Sequence, residues 1–346
     1  MARLAKLKIS MMISIFLVAL IFALFLAAII YFLNLPLIFA VIGALIFILI
    51  EYLIGPEIVK ASMRLRYVKP GEQPWLESTV KELAQKSGVP VPKIAIVPDE
   101  TPNAFVFGRT SRDATLAVHE GLLLKLNKHE VRGVLGHELG HIKHKDYLVM
   151  TMLSAVPLLA YLVARLSFEA VRFAPKSEKK GKGAAAIYAA LIAVAVIGYI
   201  VYIVSLLCVM RTSRLREHYA DAYSAYLTQN PRGLASALAK ISYGLSLSPK
   251  PPHGARTLYI SDPALAKQEC QTIIRKKDEY DLDRDGVLDE KELELAMERE
   301  AKSTWTRINT WFSTHPPTFQ RILLLREIEK EMESGRFTAK NIYAHI

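Results

Sequence analysis

Cysteine is almost missing from this 346-residue chain. Its two residues, Cys208 inside an apolar run and Cys270 well beyond it, offer neither a disulfide framework nor a cysteine metal cluster. That scarcity suits a water-soluble part kept in a reducing compartment. Negative charge is short as well, with 33 Asp and Glu against 44 Lys and Arg and a net charge of +11. A surplus of that size would suit nucleic acid, but the basic residues are scattered around apolar segments and no nucleic-acid motif accompanies them. Lys and Arg flanking a membrane of anionic lipid is the reading that remains. Charge of either sign makes up only 22% of the chain, while 52% is hydrophobic, which is high for a soluble protein.

The apolar residues gather into four runs. Residues 9 to 33 follow the basic start Arg3, Lys6 and Lys8, and residues 35 to 54 follow after Asn34. Such lengths predict a membrane hairpin in place of a cleaved leader. Residues 147 to 168, with Pro157 and a terminal Arg165, and the uncharged 184 to 210 predict a second hairpin, though this pair is open to a shallow or re-entrant course. Four spans put the N-terminus, the 55 to 146 segment and everything after 210 on one side. Arg64, Arg66, Lys143, Lys145, Arg211, Arg214 and Arg216 assign that side to the cytoplasm. The loop carrying Arg172, Lys176, Lys179, Lys180 and Lys182 against Glu169 and Glu178 pulls the other way.

Between the hairpins, residues 76 to 87 read as an amphipathic helix ended by Gly88. Lys93–Val97, Ala104–Gly108 and Ala114–Val118 read as short strands, and beyond residue 210 the chain reads as mostly helical. Residues 137 to 141 spell His-Glu-Leu-Gly-His. Asn127 with Glu130 makes a capping box, and Val131, Val134, Leu135, Leu139 and Ile142 form a stripe at helical spacing, so the motif lies on a helix. Four residues apart, His137 and His141 point the same way and can share one metal ion, beside which Glu138 can take a proton from the attacking water and pass it to a leaving amine. A third ligand is offered by Ser213-Arg-Leu-Arg-Glu-His-Tyr-Ala-Asp221. There Glu217 and Asp221 share a helix face, one carboxylate for the metal and the other to hold a ligand histidine by its second ring nitrogen. Two histidines, one carboxylate and an open position favour zinc over manganese or cobalt. The chain from His141 to the third run and from the fourth run to Glu217 is short. A hairpin returning to its starting side therefore brings the two ligand sets together, roughly 10 Å from a membrane face.

His137-Glu-Leu-Gly-His-Ile-Lys-His-Lys-Asp146, the Ser213 to Asp221 stretch, and Thr314-His-Pro-Pro317 with Arg321 beyond it resemble the HtpX-type membrane metalloproteases, relatives of the CAAX prenyl endopeptidases. The resemblance runs from the first hairpin to about residue 325. It implies a gluzincin-like catalytic fold facing the cytoplasm and a role in membrane-protein quality control. It maps His137, His141 and Glu217 to zinc, Glu138 to catalysis and Asp221 to the support of a ligand. Asn103, Ala104 and Phe105 look like the family's edge-strand segment, onto which an extended substrate would add a strand. His315 or Arg321 is offered as a stabiliser of the oxyanion.

One stretch departs from that family pattern. Residues 281 to 292 read Asp-Leu-Asp-Arg-Asp-Gly-Val-Leu-Asp-Glu-Lys-Glu. Asp281, Asp283, Asp285, the Val287 carbonyl, Asp289 and Glu292 fall at the ligand positions of an EF-hand, with Gly286 at its sharp turn. A single hand without its usual partner predicts a structural clamp or a modest regulator.

The sequence thus predicts an α+β, mostly helical chain: a gluzincin-like metalloprotease domain with about four transmembrane helices and one EF-hand insertion. Its parts are a hairpin over 1–55, protease segments over 56–146 and 211–261 split by a hairpin over 147–210, the insertion over 262–303 and a helical end over 304–346. The expected activity is zinc-dependent hydrolysis of misfolded or membrane-proximal polypeptides, with calcium as a second ion. A specific processing protease of the prenyl-endopeptidase type and a calcium-binding scaffold with an inactive protease fold are the alternatives. The intact Glu138 speaks against the scaffold.

Overall fold

The structure, a computed structural model, describes residues 13, 16–23, 25–26, 30, 36–173, 182–246, 259–261, 263–284, 290–339 and 341–343. The chain divides into two compact units. Among the described residues, one unit lies within Pro56–Leu148 and Ser213–Ile346, the other within Lys8–Gly55 and Val149–Thr212.

The elements, in chain order, begin with helix α1 (Leu37–Met63), strand β1 (Arg66–Tyr67), helix α2 (Pro74–Ser87) and strands β2 (Lys93–Val97), β3 (Ala104–Phe107) and β4 (Thr115–His119). Helices α3 (Glu120–Lys125), α4 (Lys128–His144), α5 (Asp146–Phe173), α6 (Lys182–Thr228) and α7 (Pro231–Ser246) follow. The described chain ends with α8 (Pro263–Arg275), α9 (Lys277–Tyr280), α10 (Glu290–Lys302), α11 (Thr304–Trp311) and α12 (Thr318–Glu333).

Three stretches among the described residues are long and apolar enough to cross a membrane: Ile42–Met63, Val149–Phe173 and Ala184–Thr228. Ile42, Leu45, Ile46, Leu49 and Leu53 of α1 are exposed, as a face meant for lipid would be. Of the run expected over 9 to 33, residues 16–23 and 25–26 are helical and much of the rest lies outside the described residues. Helix α1 carries on through Gly55 and Pro56, past the end of the 35 to 54 run. Helix α6 is a single 47-residue element in which the fourth apolar run and the Glu217 stretch are continuous. No proline or glycine interrupts residues 199 to 228.

In the other unit the sheet has the order β1-β2-β4-β3, with β2 parallel to β4 and β3 antiparallel to it. All five residues of β4 are buried, as befits a central strand, and β3 is an edge. Gly88 closes α2 in the left-handed conformation at φ 65°, which only glycine adopts without strain. Behind the sheet, Leu83 of α2, Leu116 and Val118 of β4, Val134, Leu135 and Leu139 of α4, Leu238 and Ile241 of α7 and Leu325 of α12 share one core. The capping box forms as expected. Asn127 accepts from His129 N and Glu130 N, and Glu130 Oε2 accepts from Asn127 N at 2.9 Å. Glu130 is buried and also takes Ser236 Oγ at 2.6 Å and Lys240 Nζ at 3.0 Å, tying α4 to α7.

Candidate active site

Three elements deliver the site: α4 brings His137, Glu138 and His141, α6 brings Glu217 and Asp221, and α12 brings Arg321. Helices α4 and α6 approach closely because the facing residues are small. A Cβ added at Gly140 would lie 3.1 Å from Ala220 Cα, and one added at Gly136 would lie 2.8 Å from Ser224 Oγ. Ser224 Oγ uses that proximity to donate to the Gly133 carbonyl at 2.6 Å. Ala220 sits between Glu217 and Asp221 in sequence, so the tightest approach of the two backbones falls at the ligand set itself.

His137, His141 and Glu217 each place one ligand atom within 4.8 Å of the others. The two imidazoles are oriented from behind. His137 Nδ1 lies 2.9 Å from Asp221 Oδ1 and His141 Nδ1 lies 2.7 Å from Asp146 Oδ2. An ionised carboxylate only accepts, so each Nδ1 must donate and each Nε2 is left with its lone pair. Those two Nε2 atoms are 3.1 Å apart, with Glu217 Oε2 3.4 Å from the first and Oε1 3.5 Å from the second. Glu217 Oε2 is buried and, among the described residues, accepts no hydrogen bond, although the Arg321 guanidinium lies 3.4 Å from it. Converging lone pairs and a buried carboxylate oxygen that accepts no hydrogen bond among the described residues are a donor set that fits a divalent cation of the zinc kind.

The electrostatics agree. Burial alone would depress His137, but Asp221 and Glu217 outweigh it and raise its pKa to about 9. Burial likewise opposes charge on His141, and Asp146 turns the balance upward. A field that favours a proton this strongly also favours a metal cation. Burial raises Glu138 to about 7 despite the opposing pull of His141 and His137, the range in which a carboxylate can both take and return a proton near neutrality.

Arg321 is fully buried. Its Nε and Nη2 grip Asp221 at 2.8 and 2.7 Å, its Nη1 donates to the Ile260 carbonyl, and the same Nη1 lies 3.4 Å from Glu217 Oε2. Arg321 is expected from the sequence as an oxyanion donor; its guanidinium holds Asp221 and the Ile260 carbonyl beside the ligand set. His315 is buried, with Nε2 3.8 Å from Glu217 Oε1 and Nδ1 2.9 Å from Thr314 Oγ1, so it stands beside the candidate ligands. Ala104 and Phe105 lie in edge strand β3. The Asn103 side chain, buried completely, accepts from Ile260 N at 3.0 Å, so it holds a neighbouring segment of the chain. Asp281, Asp283 and Glu292 also gather within 4.8 Å, while Asp285, Val287 and Asp289 lie outside the described residues.

Two residues of this arrangement carried no assigned role in the sequence. Asp146 follows a helix break at Lys145, which is left-handed at φ 56°, so helical spacing from His141 does not find it. Arg216 was counted among the membrane-flanking cations, but it is buried and paired with Asp146.

Fold and site together define a membrane-embedded metallopeptidase. The sequence profile of peptidase family M48 matches residues 70–329, and the chain belongs to that family. Among curated relatives it is similar to a protein described as "Protease HtpX homolog" from Methanothermobacter thermautotrophicus, 41% identical over 61% of this chain and 75% of that one. Proteins of the same description from Methanocaldococcus jannaschii (34% identical, 86% of this chain and 89% of that) and Aeropyrum pernix (32%, 82% and 83%) are similar over most of the length. Among solved structures, S. mikatae Ste24p superposes with a TM-score of 0.48 at 18% identity, covering 93% of this chain and 67% of that one.

Proposed function

We propose that the chain is a zinc-dependent endopeptidase that cuts misfolded or membrane-proximal proteins at the cytoplasmic face, in the service of membrane-protein quality control. The observation that carries the reading is the convergence of His137, His141 and Glu217, with a carboxylate behind each imidazole, in a chain of family M48. Zinc bound there supplies Lewis-acid polarisation of the scissile carbonyl and a more acidic water. Glu138, buried and next to His137 on α4, takes a proton from the attacking water and delivers it to the leaving amine. A role for His315 in stabilising the developing oxyanion is supported by its lying 3.8 Å from Glu217. Edge strand β3, paired on one side by β4, suits an extended substrate added as a strand at Ala104 and Phe105. Arg64, Arg66, Lys143, Lys145 and Arg211 support the cytoplasmic side; Arg216, spent on Asp146, no longer counts toward it.

The test is the full chain and Glu138→Gln, purified in detergent. Both are expected to bind about one zinc, and only the former to cut casein, in a chelator-sensitive way. Zinc binding without cleavage of any protein would sink the endopeptidase reading, and one fixed cleavage site in one product would favour a processing enzyme.

Calcium is proposed to order the 262–303 stretch and modulate activity. Supporting this, Asp281, Asp283 and Glu292 lie close together, and Met297 of α10 shares the core with Ile322 and Leu325 of α12, the helix that carries Arg321. Equal activity and equal Tm with and without calcium would remove the idea.

A further inference from the structure

Asp146 takes no part in the reaction as described, yet it is buried at the point where the two ligand-bearing helices meet. Its Oδ2 lies 2.7 Å from His141 Nδ1. Its Oδ1 accepts from Arg216 Nη2, which also donates to the His144 carbonyl at 3.3 Å. Arg216 is 3% exposed, and its Nε and Nη1 have no hydrogen-bond partner among the described residues. It directly precedes Glu217 on α6.

We infer that Asp146 is a positioning residue for the metal, one that fixes the His141 imidazole with Nε2 toward the ligand set and, through Arg216, holds Glu217 opposite it. The inference rests on the metallopeptidase reading above. Its physical content is that His141 needs a partner on Nδ1 as His137 does. Asp221 serves His137 from α6, four residues after the third ligand. Asp146 serves His141 from the first turn of α5, reached through the left-handed Lys145. A charged acceptor on Nδ1–H fixes the tautomer, stops the ring from rotating and makes Nε2 a stronger donor to the metal. The second oxygen does separate work. A guanidinium buried beside a ligand on the next residue is stable only against a carboxylate, and among the described residues Asp146 is the one that pairs with it. One side chain thus sets the orientation of the second ligand and the placement of the third.

A purely structural role is the competing account, because an acidic residue in the first turn of a helix is favourable wherever it occurs. Asp146→Asn keeps the shape of the side chain and removes its charge from both the helix start and His141, so the metal-free Tm reports the first loss and zinc affinity the second. It also strands Arg216, which Asp146→Asn/Arg216→Gln corrects. The experiment uses full-length protein in detergent: wild type, both variants and Arg216→Gln. It reads the zinc dissociation constant by chelator competition, the visible spectrum of the cobalt-loaded protein and the Tm of the metal-free protein. The expected result is that Asp146→Asn weakens zinc about 10- to 100-fold and lowers the metal-free Tm. The double variant should regain that Tm, keep the weakened affinity and show an altered cobalt spectrum. If Asp146→Asn does not fold, the double variant decides alone. Zinc affinity within twofold of wild type in the double variant overturns the inference and leaves the metallopeptidase standing. Wild-type protein that binds no zinc overturns both.

Discussion

Replacing Gly140 by alanine adds one methyl group at the tightest crossing of α4 and α6. The new Cβ would sit 3.1 Å from Ala220 Cα and 3.4 Å from both Ala220 Cβ and O. Those atoms belong to, or are rigidly fixed to, the backbone, so no rotamer change makes room and α6 must retreat by a few tenths of an ångström. Overpacking of this kind costs about 1–3 kcal/mol, while replacing a helical glycine by alanine returns about 1 kcal/mol. The net loss of stability should be about 0–2 kcal/mol. The retreat, however, moves Ala220 together with Glu217 three residues before it and Asp221 immediately after it, so it falls on the third ligand and on the partner of His137. Since a 1 Å misplacement can cost about 100-fold in rate, a shift of a few tenths should lower kcat/KM and zinc affinity about 5- to 20-fold. Gly136→Ala is the control. It meets Ser224 Oγ at 2.8 Å and Thr228 Cγ2 at 2.9 Å, side-chain atoms that a rotamer change can move at the loss of the Ser224 to Gly133 and Thr228 to Ser224 hydrogen bonds, about 1 kcal/mol each. It should therefore affect stability about as much as Gly140→Ala and activity much less. Thermal melts, chelator competition and casein cleavage on both variants check this. Gly140→Ala with wild-type zinc affinity and kcat/KM would refute the claim that the helix crossing sets the ligand geometry.

Asp221→Ala strands the buried Arg321 and takes the acceptor from His137 Nδ1, so it should cost about 3–5 kcal/mol in stability and about 10- to 100-fold in zinc affinity. Asp221→Ala/Arg321→Met should recover most of the first loss and none of the second in thermal melts and chelator competition. Glu130→Ala removes a capping box and leaves Asn127 N and Ser236 Oγ unpaired, at about 2–3 kcal/mol by denaturant unfolding. Burial works against the Glu130 charge, but Lys240, Ser236 and Asn127 outweigh it and hold its pKa below the ordinary carboxylate value. The stability this adds is complete above that ordinary value and is lost as pH falls through the lower folded one. Glu130→Gln should therefore flatten the acid limb of a stability–pH curve. A chelator should abolish cleavage and added zinc should restore it; persistence of cleavage after metal is shown to be gone would contradict the role given to His137, His141 and Glu217.

What the sequence made legible is what a period can carry. The stripe on α4 and its capping box depend on residues three and four apart, and both appear where the spacing puts them. Strand β2 spans the expected Lys93–Val97, because a short β-branched run between Pro92 and Pro98 has few alternatives. Boundaries were less legible where a helix outlasts its apolar run. Helix α6 carries charged and polar residues from Arg211 onward, and hydropathy ends there, but helix propensity does not.

The site divides along the same line. His137, Glu138, His141, Glu217 and Asp221 sit at helical offsets from one another within α4 or α6, so a one-dimensional reading reaches them. Asp146 lies across a left-handed residue, the Ile260 carbonyl is a backbone atom, and Arg216 looks like any basic residue beside an apolar run. None of these has a period to announce it. Arg321 shows what offset leaves open: its offset from His315 marked it as belonging to the site, but offset cannot distinguish a cation that faces substrate from one locked against a carboxylate. Only the bidentate grip on Asp221 and the absence of exposed surface make that distinction. Groups that touch the metal recur at helical spacing because one helix must present them together. Groups that hold those ligands in place come from whichever part of the chain passes behind, so they emerge only once the chain is folded.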